Sequence, residues 1–412
     1  MHISSRVRDI NESITLKLNA RAMELSELGK NIYNLTAGQL PFRPMNEFVE
    51  QIKNELNFLK SFQYSPVPGF KELRKKVIAY IEKTRKIELG PLGEKFDCII
   101  SNGGKHSLAN ALWALVDPGD EVIILAPYWV SYPQLIKFCR GVPIVVQSGP
   151  FENFTPNIED IKKAISEKTK LIIVNSPNNP AGIHYSKEWM KEFAQLLKDN
   201  PHLSIISDEI YFEVAYFDPG PTYFYQYYPE LLERTLIIDG ISKALASTGL
   251  RIGYSIGPKE IIEAMSKLQG QTTSGANSLM QRALTQVDFD LIPHFMTPIR
   301  NHLRHNAQLV QDVFRNAGLA KSWYQSTSAF YFLVDFSNAP LMNSYREDKD
   351  DRTDYSEKIA EDLLNEHAIA IVPGEDFGAP NSARISLVLE AGPLKEALLL
   401  VVNFMKKGPT RQ

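Results

Sequence analysis

Only two cysteines, Cys98 and Cys139, occur in 412 residues, so neither a disulfide framework nor a cysteine-built zinc site organises the chain, and no metal is expected. Both sit in apolar surroundings and read as small core residues. An excess of one charge is missing too: 45 basic residues face 48 acidic ones, leaving −3. Nowhere do Lys and Arg gather with interleaved aromatics, which argues against nucleic acid or an anionic membrane as partner. Met1 to Ile14 mixes Arg6, Arg8, Asp9 and Glu12 without an apolar run. Neither a secretory signal nor a membrane span is expected there, and the expected location is the cytoplasm. Internal repeats, low-complexity tracts and Gly/Ser linkers are also lacking.

What is present is length and a pattern. The 412 residues leave room for two or three units of roughly 150 residues each. A hydrophobic share of 44% and a charged share of 23% are those of a globular protein. Seven short apolar runs stand out: Cys98–Ile100, Val122–Leu125, Ile144–Val146, Leu171–Val174, Leu203–Ile206, Leu236–Ile238 and Ile252–Ile256. They are continuous rather than alternating, as strands buried on both faces require, and predict one mainly parallel, seven-stranded sheet. Helical patterns lie between several of them, at His106–Val116 and Lys187–Lys198, which makes the expected fold class α/β, a sheet sandwiched between helices. Downstream, the spacing predicts a helix over Pro298–Ala317, with Pro298 in its first turn and Gly318 just past its end. Phe330–Val334 and Arg384–Val388 read as strands of a smaller α+β unit, which the N-terminal segment is expected to join.

Polar clusters follow five of the runs directly. Ser101-Asn102-Gly103-Gly104-Lys105 comes after the first, Ala126-Pro127-Tyr128-Trp129 after the second, Asn175 to Gly182 after the fourth, Asp208-Glu209-Ile210-Tyr211 after the fifth, and Ser242-Lys243 after the sixth. In an open α/β sheet the carboxyl ends of the strands form the ligand crevice, so the five clusters converge. Gly103 and Gly104 lead into a helix whose amides and positive end suit a phosphate. Asp208 ends an apolar strand, where an ionised carboxylate needs a cation or several donors; a neighbouring Arg, a capping amide or a protonated ring nitrogen would each serve. Lys243, at a strand mouth, has the partial desolvation that makes an amine nucleophilic and able to form a Schiff base. Arg251 offers a planar cation suited to clamping phosphate, and Trp129 a flat face for stacking. Singly, each has an ordinary explanation: a tight turn, a helix cap, a surface lysine, a salt-bridge arginine, a core tryptophan, or turn chemistry at Asn179. Their joint appearance at successive strand ends is not explained that way.

These residues resemble the fold type I pyridoxal phosphate enzymes, and more narrowly the aspartate and aromatic aminotransferase group of class I/II. The likeness runs over nearly the whole chain: Leu35-Thr36-Ala37-Gly38, Tyr64 with Gly69-Phe70-Lys71-Glu72-Leu73-Arg74, Asn102-Gly103-Gly104-Lys105, Pro127-Tyr128-Trp129, Asn178-Asn179-Pro180-Ala181-Gly182, Ser207-Asp208-Glu209-Ile210-Tyr211, Ser242-Lys243-Ala244 through Gly249-Leu250-Arg251-Ile252-Gly253-Tyr254, and Ala383-Arg384-Ile385-Ser386. The Ser-Lys to Arg spacing and the Asp-Glu-x-Tyr element are specific, and the Gly-Gly-Lys turn is not.

The resemblance implies that Lys243 forms the Schiff base with pyridoxal 5′-phosphate and then shuttles a proton between the substrate Cα and the cofactor. It implies that Asp208 pairs with the pyridine nitrogen, that Asn179 and Tyr211 bond the phenolic oxygen, and that Trp129 stacks on the ring. The phosphate would meet the Gly103-Gly104-Lys105 turn, Ser242 and Arg251, with Tyr64 reaching across from a second subunit of a homodimer. Arg384 would bind the substrate α-carboxylate, helped by Asn179, Trp129 and the Gly38 backbone. The implied activity moves the amino group of an L-amino acid, whether aspartate, aromatic or otherwise neutral, to a 2-oxo acid such as 2-oxoglutarate, with ping-pong kinetics. The implied division places an arm and part of the small domain at 1–45, the large cofactor-binding domain at 46–292, and the small C-terminal domain at 293–412.

Two departures touch substrate choice. Gly38-Gln39-Leu40-Pro41-Phe42 stands where an acidic and a small polar residue are common, and Leu250 replaces a frequent aromatic. No second arginine for a dicarboxylate side chain is found between Gln271 and Gln281. The alternatives are another fold type I enzyme, a carbon–sulfur lyase or decarboxylase, and a non-catalytic regulator; the regulators carry an added DNA-binding domain, for which this chain is expected to have no room.

Overall fold

A two-residue strand, β1 (Tyr33–Asn34), comes first, and the seven apolar runs then form one sheet. Its members are β2 (Phe96–Ser101), β3 (Glu121–Leu125), β4 (Val142–Val146), β5 (Thr169–Asn175), β6 (Ser204–Asp208), β7 (Thr235–Gly240) and β8 (Gly253–Pro258). In the computed structural model, which describes residues 3–4, 14–319, 322, 324–346 and 353–410, their order is β2-β8-β7-β6-β5-β3-β4. Arg6, Arg8, Asp9 and Glu12 lie outside the described residues. Pairing is parallel throughout except at β8, which runs antiparallel to both β2 and β7.

Alternation along each strand divides the buried side chains between two layers. Ile172, Val174, Ile205 and Ile237 face one core, while Leu171, Ile173, Ile206 and Ile238 face the other. The first core is closed by helices Lys71–Arg85 and Lys187–Asp199, through Val77, Ile81, Phe193 and Leu197. The second is closed by helices Gly104–Leu115 and Lys259–Thr272, through Leu108, Leu112, Ile262 and Met265. Each such side chain contributes roughly 1.5–3 kcal/mol on leaving water, which is why the runs could be continuous. Among the described residues no helix is long and apolar enough to cross a membrane.

A second, antiparallel sheet joins β9 (Tyr331–Asp335) to further strands near the C-terminus. After β10 (Ile369–Ala370) come β11 (Val372–Pro373) and β12 (Ser382–Ser386), ordered β11-β12-β9. β1 pairs with β10 in a two-stranded sheet of its own, and the Leu35 carbonyl accepts from the Ser386 amide at 2.8 Å. The expected helix over Pro298–Ala317 begins earlier, at Ile292, and runs to Asn316. Pro293 occupies its first turn and Pro298 lies inside it. The apolar face Ile292, Met296, Ile299 and Leu303 is buried on both sides of Pro298, and that packing outweighs the roughly 3 kcal/mol a mid-helix proline costs.

Candidate active site

The reversed direction of β8 explains how one edge of the sheet gathers every cluster. Parallel strands deliver their following residues to the carboxyl edge, and an antiparallel strand delivers its preceding residue there. Arg251, two residues ahead of β8, therefore arrives beside the Gly103-Gly104 turn, its guanidinium donating to the carbonyls of Thr248 at 3.0 Å and Asn102 at 3.4 Å. Gly103 has φ +87°, and a Cβ there would strike the Arg251 guanidinium. On Gly253 a Cβ would overlap the backbone of Gly103 and Gly104. Only glycines allow strand, turn and arginine to approach so closely, and Gly104 and Lys105, in the first turn of the helix, line the cleft beside Arg251.

The cleft at this edge has a volume of about 390 Å³. Of the anticipated residues, Gly38, Gly104, Lys105, Trp129, Asn179, Asp208, Tyr211, Ser242, Lys243, Arg251 and Arg384 line it. Gly103, the first residue of the turn, is not among the lining residues. Tyr64 does not reach the cleft; it is 92% exposed and sits beside Phe62 and Asn277 in a separate shallow groove. Neither Gln39 nor Leu250 lines the cleft, so these two departures act on its shape only through their neighbours.

Lys243 is buried, and its Nζ donates to the Gly38 carbonyl at 2.6 Å. Burial first, then repulsion from Arg384 and Arg251, lowers this amine from 10.5 to about 7. The Phe330 and Tyr211 rings lie 5.0 and 5.6 Å from it. Asp208 ends β6 and is buried; its carboxylate accepts from the Tyr132 hydroxyl at 2.6 Å and from the Ile210 amide at 3.3 Å. Desolvation raises it from 3.8 to about 6, although both hydrogen bonds pull the other way.

Arg384 projects from the middle of β12 and brings the second unit to the cleft. Its Nη1 donates to Asn179 Oδ1 at 3.1 Å and its Nη2 to the Thr36 carbonyl at 3.2 Å. Asn179 is fixed in turn, its amide donating to Asn175 Oδ1 at 3.0 Å. Trp129 stands edge-on to Tyr132, with the Lys105 amine 4.9 Å from its ring.

Among the lining residues, Tyr132 and Tyr331 escaped the sequence reading, and Asn175 entered it only as the first residue of a polar cluster, without a role. Tyr132 lies three residues past Trp129, one helical turn on, and Asn175 is the last residue of its strand, so a signal existed for both. Tyr331, whose hydroxyl is 3.2 Å from that of Tyr211, is indistinguishable in sequence from a core aromatic of β9.

Residues 30–399 match the family described as aminotransferase class I and II. The aspartate/prephenate aminotransferase of Thermus thermophilus is 36% identical over 402 residues, covering 96% of this chain and 97% of its own. The aspartate aminotransferase of Bacillus subtilis is 31% identical over 409 residues, covering 99% of this chain and 100% of its own. A solved structure of aspartate aminotransferase from Thermus thermophilus with maleate superposes with a TM-score of 0.86 at 33% identity, covering 98% of this chain and 99% of that one. These likenesses favour transamination over the lyase, decarboxylase and regulator alternatives.

Proposed function

Because the chain belongs to the class I and II aminotransferases, which work with pyridoxal 5′-phosphate, we propose that this cleft holds the cofactor and that aspartate is a principal amino donor, with 2-oxoglutarate as acceptor. The observation that carries the reading is a buried amine near neutral pKa and a buried carboxyl facing the same cleft. Family aside, the residues fit the cofactor. Gly253 lets the Gly103-Gly104 turn pack against its backbone where any Cβ would collide, Arg384 Nε is buried without a partner, and Asp208 meets no cation among the described residues.

When bound, the cofactor supplies an electron sink for the charge left as the substrate loses its α-proton. Lys243 would hold the cofactor through its aldehyde and would serve as the base that moves the substrate's Cα proton; an amine near neutral pKa can both take and return a proton. Asp208 keeps the ring nitrogen protonated, and Tyr132 holds that carboxylate in place. Asn179 and Tyr211 would hold the cofactor's phenolic oxygen, and Trp129 would stack on its ring. The amides of Gly104 and Lys105, with Ser242 and Arg251, hold the phosphate, and Gly103 shapes their turn. Arg384, aided by Asn179 and the Gly38 backbone, grips the α-carboxylate with a planar fork.

Charge bookkeeping in the cleft favours a dicarboxylate. Lys105, Lys243, Arg251 and Arg384 face one carboxylate, Asp208. Phosphate, aldehyde and α-carboxylate occupy three of the cations. Lys105, with no ion pair among the described residues, remains for a side-chain carboxylate, in keeping with a relative solved with maleate. Neutral and aromatic amino acids are the second substrate class, since Lys105 can swing into water.

The chain acts in the cytoplasm as a homodimer in this reading. Phe58, Leu59, Phe62 and Tyr64 expose 52, 75, 66 and 92% of their surface in one segment, an apolar patch of the kind a partner covers. Tyr64 would cross there to the partner's phosphate. The domain division at 1–45, 46–292 and 293–412 is supported by the two separate sheets and the β1–β10 pairing.

The test is a panel of L-amino acids assayed with and without 2-oxoglutarate. Aspartate alone should give at most one equivalent of oxaloacetate per site, and should turn over to oxaloacetate and glutamate only when acceptor is present, in a ping-pong pattern. Pyruvate and ammonia released without acceptor would contradict transamination.

A further inference from the structure

Behind the cleft, on the other face of the sheet, Arg85 ends the helix Lys71–Arg85 and is wholly buried. Its Nε donates to Glu209 Oε2 at 2.8 Å and its Nη2 to Asp239 Oδ2 at 2.6 Å. The Phe212 ring stacks 3.5 Å from the guanidinium carbon, so the cation is held flat as well as forked. None of these three charged residues lines the cleft.

Their positions in the chain matter more than their charge. Glu209 immediately follows Asp208, and Asp239 precedes Lys243 by four residues. Strand alternation turns Glu209 and Asp239 to the Arg85 side while Asp208 faces the cleft. The Glu209 amide donates to the Ile238 carbonyl at 2.8 Å, carrying the β6–β7 ladder one rung past Asp208, and Asp239 Oδ1 accepts from the Gly240 amide at 2.7 Å. One guanidinium thus ties together the two strand ends from which Asp208 and Lys243 emerge.

Taking three charges out of water is costly, and packed apolar side chains of equal volume would serve stability as well. What the ionic cluster adds is register, because each of its bonds has one length and one direction. We propose that Arg85, which touches neither cofactor nor substrate, is a positioning residue: by holding Glu209 and Asp239 together it fixes the placement of Asp208 relative to Lys243 across the cleft.

The proposal rests on the cofactor reading above, and its test uses the loaded enzyme. Two variants are compared with wild type: Arg85→Lys, which keeps the charge but cannot fork to both acids, and the uncharged triple variant Arg85→Met, Glu209→Gln, Asp239→Asn. The readouts are the pH midpoint of the bound cofactor's absorbance and the cofactor dissociation constant. The triple variant should shift the midpoint by about one pH unit and weaken cofactor binding about tenfold or more, with Arg85→Lys between it and wild type. A folded triple variant with wild-type midpoint and affinity overturns the clamp. If the triple variant does not fold, wild-type values in Arg85→Lys overturn it equally. Failure of wild type itself to bind the cofactor would instead overturn the reading of the cleft, and the clamp with it.

Discussion

Glu209 accepts hydrogen bonds from Arg85, Ser207 and Tyr225, whereas Asp208, the residue before it, accepts from one hydroxyl and one amide and faces open space. Both carboxyls are buried, and burial pushes both upward. A single step along a strand separates them, yet alternation sends one into a closed ionic cluster and the other to the ligand edge. A buried charge with its full set of partners belongs to the architecture. One left with room for a cation is where chemistry is expected, and the same contrast separates Arg85 from Arg384, whose Nε lacks a partner.

Substitutions can break or sharpen that contrast, beginning with the group that has most to do. Lys243→Ala should lower turnover by at least about 10⁴-fold and remove the cofactor's protein-bound absorbance; retained turnover in a steady-state assay would reject the assignment. In wild type, kcat should fall as pH drops below about 7, where the Lys243 amine gains its proton.

Asp208→Asn should cost about 10²–10³-fold in turnover, while its neighbour's Glu209→Gln, which acts only through the placement of Asp208, should cost about tenfold or less and also lower the melting temperature. Equal kinetic losses in the two would erase the distinction. The same aspartate has a signature in the cofactor-free protein. Between pH 3.8 and about 6 the folded chain holds a proton on Asp208 that the unfolded chain has released. The carboxyl therefore costs the fold nothing below that window, and stability is lost as pH rises through it, by at most about 3 kcal/mol. Denaturant titrations at several pH values should show this slope in wild type and its loss in Asp208→Asn.

The smallest effect is expected at the cleft mouth. Lys105→Ala should lower kcat/KM for aspartate by about tenfold and leave a neutral amino acid nearly untouched. A uniform loss across both substrate classes would assign Lys105 to the phosphate turn alone.

Much of this arrangement could be read without coordinates, for physical reasons. Strands buried on both faces must be continuously apolar, which made six of the seven visible; β4, also an apolar run, is instead an edge strand that leaves Val142 and Val145 exposed. The residues that follow the strands must meet at one edge, so Asp208, Lys243 and Trp129 were visible too. The direction of β8 was not visible, because an apolar run carries no sign of parallel or antiparallel pairing; that reversal is what delivers Arg251. Tyr132 and Tyr331 were hidden because a buried tyrosine packs like any core aromatic until its hydroxyl finds a partner. The start of the helix at Ile292 was obscured by Pro298, whose cost is offset only by tertiary packing. Tyr64 faces away from its own cleft, and a role for it requires a second chain.

The most direct measurement is borohydride reduction of the protein loaded with pyridoxal 5′-phosphate, followed by peptide mapping. The account predicts one labelled residue, Lys243. A label on Lys105 or any other lysine, or no label at all, would contradict it.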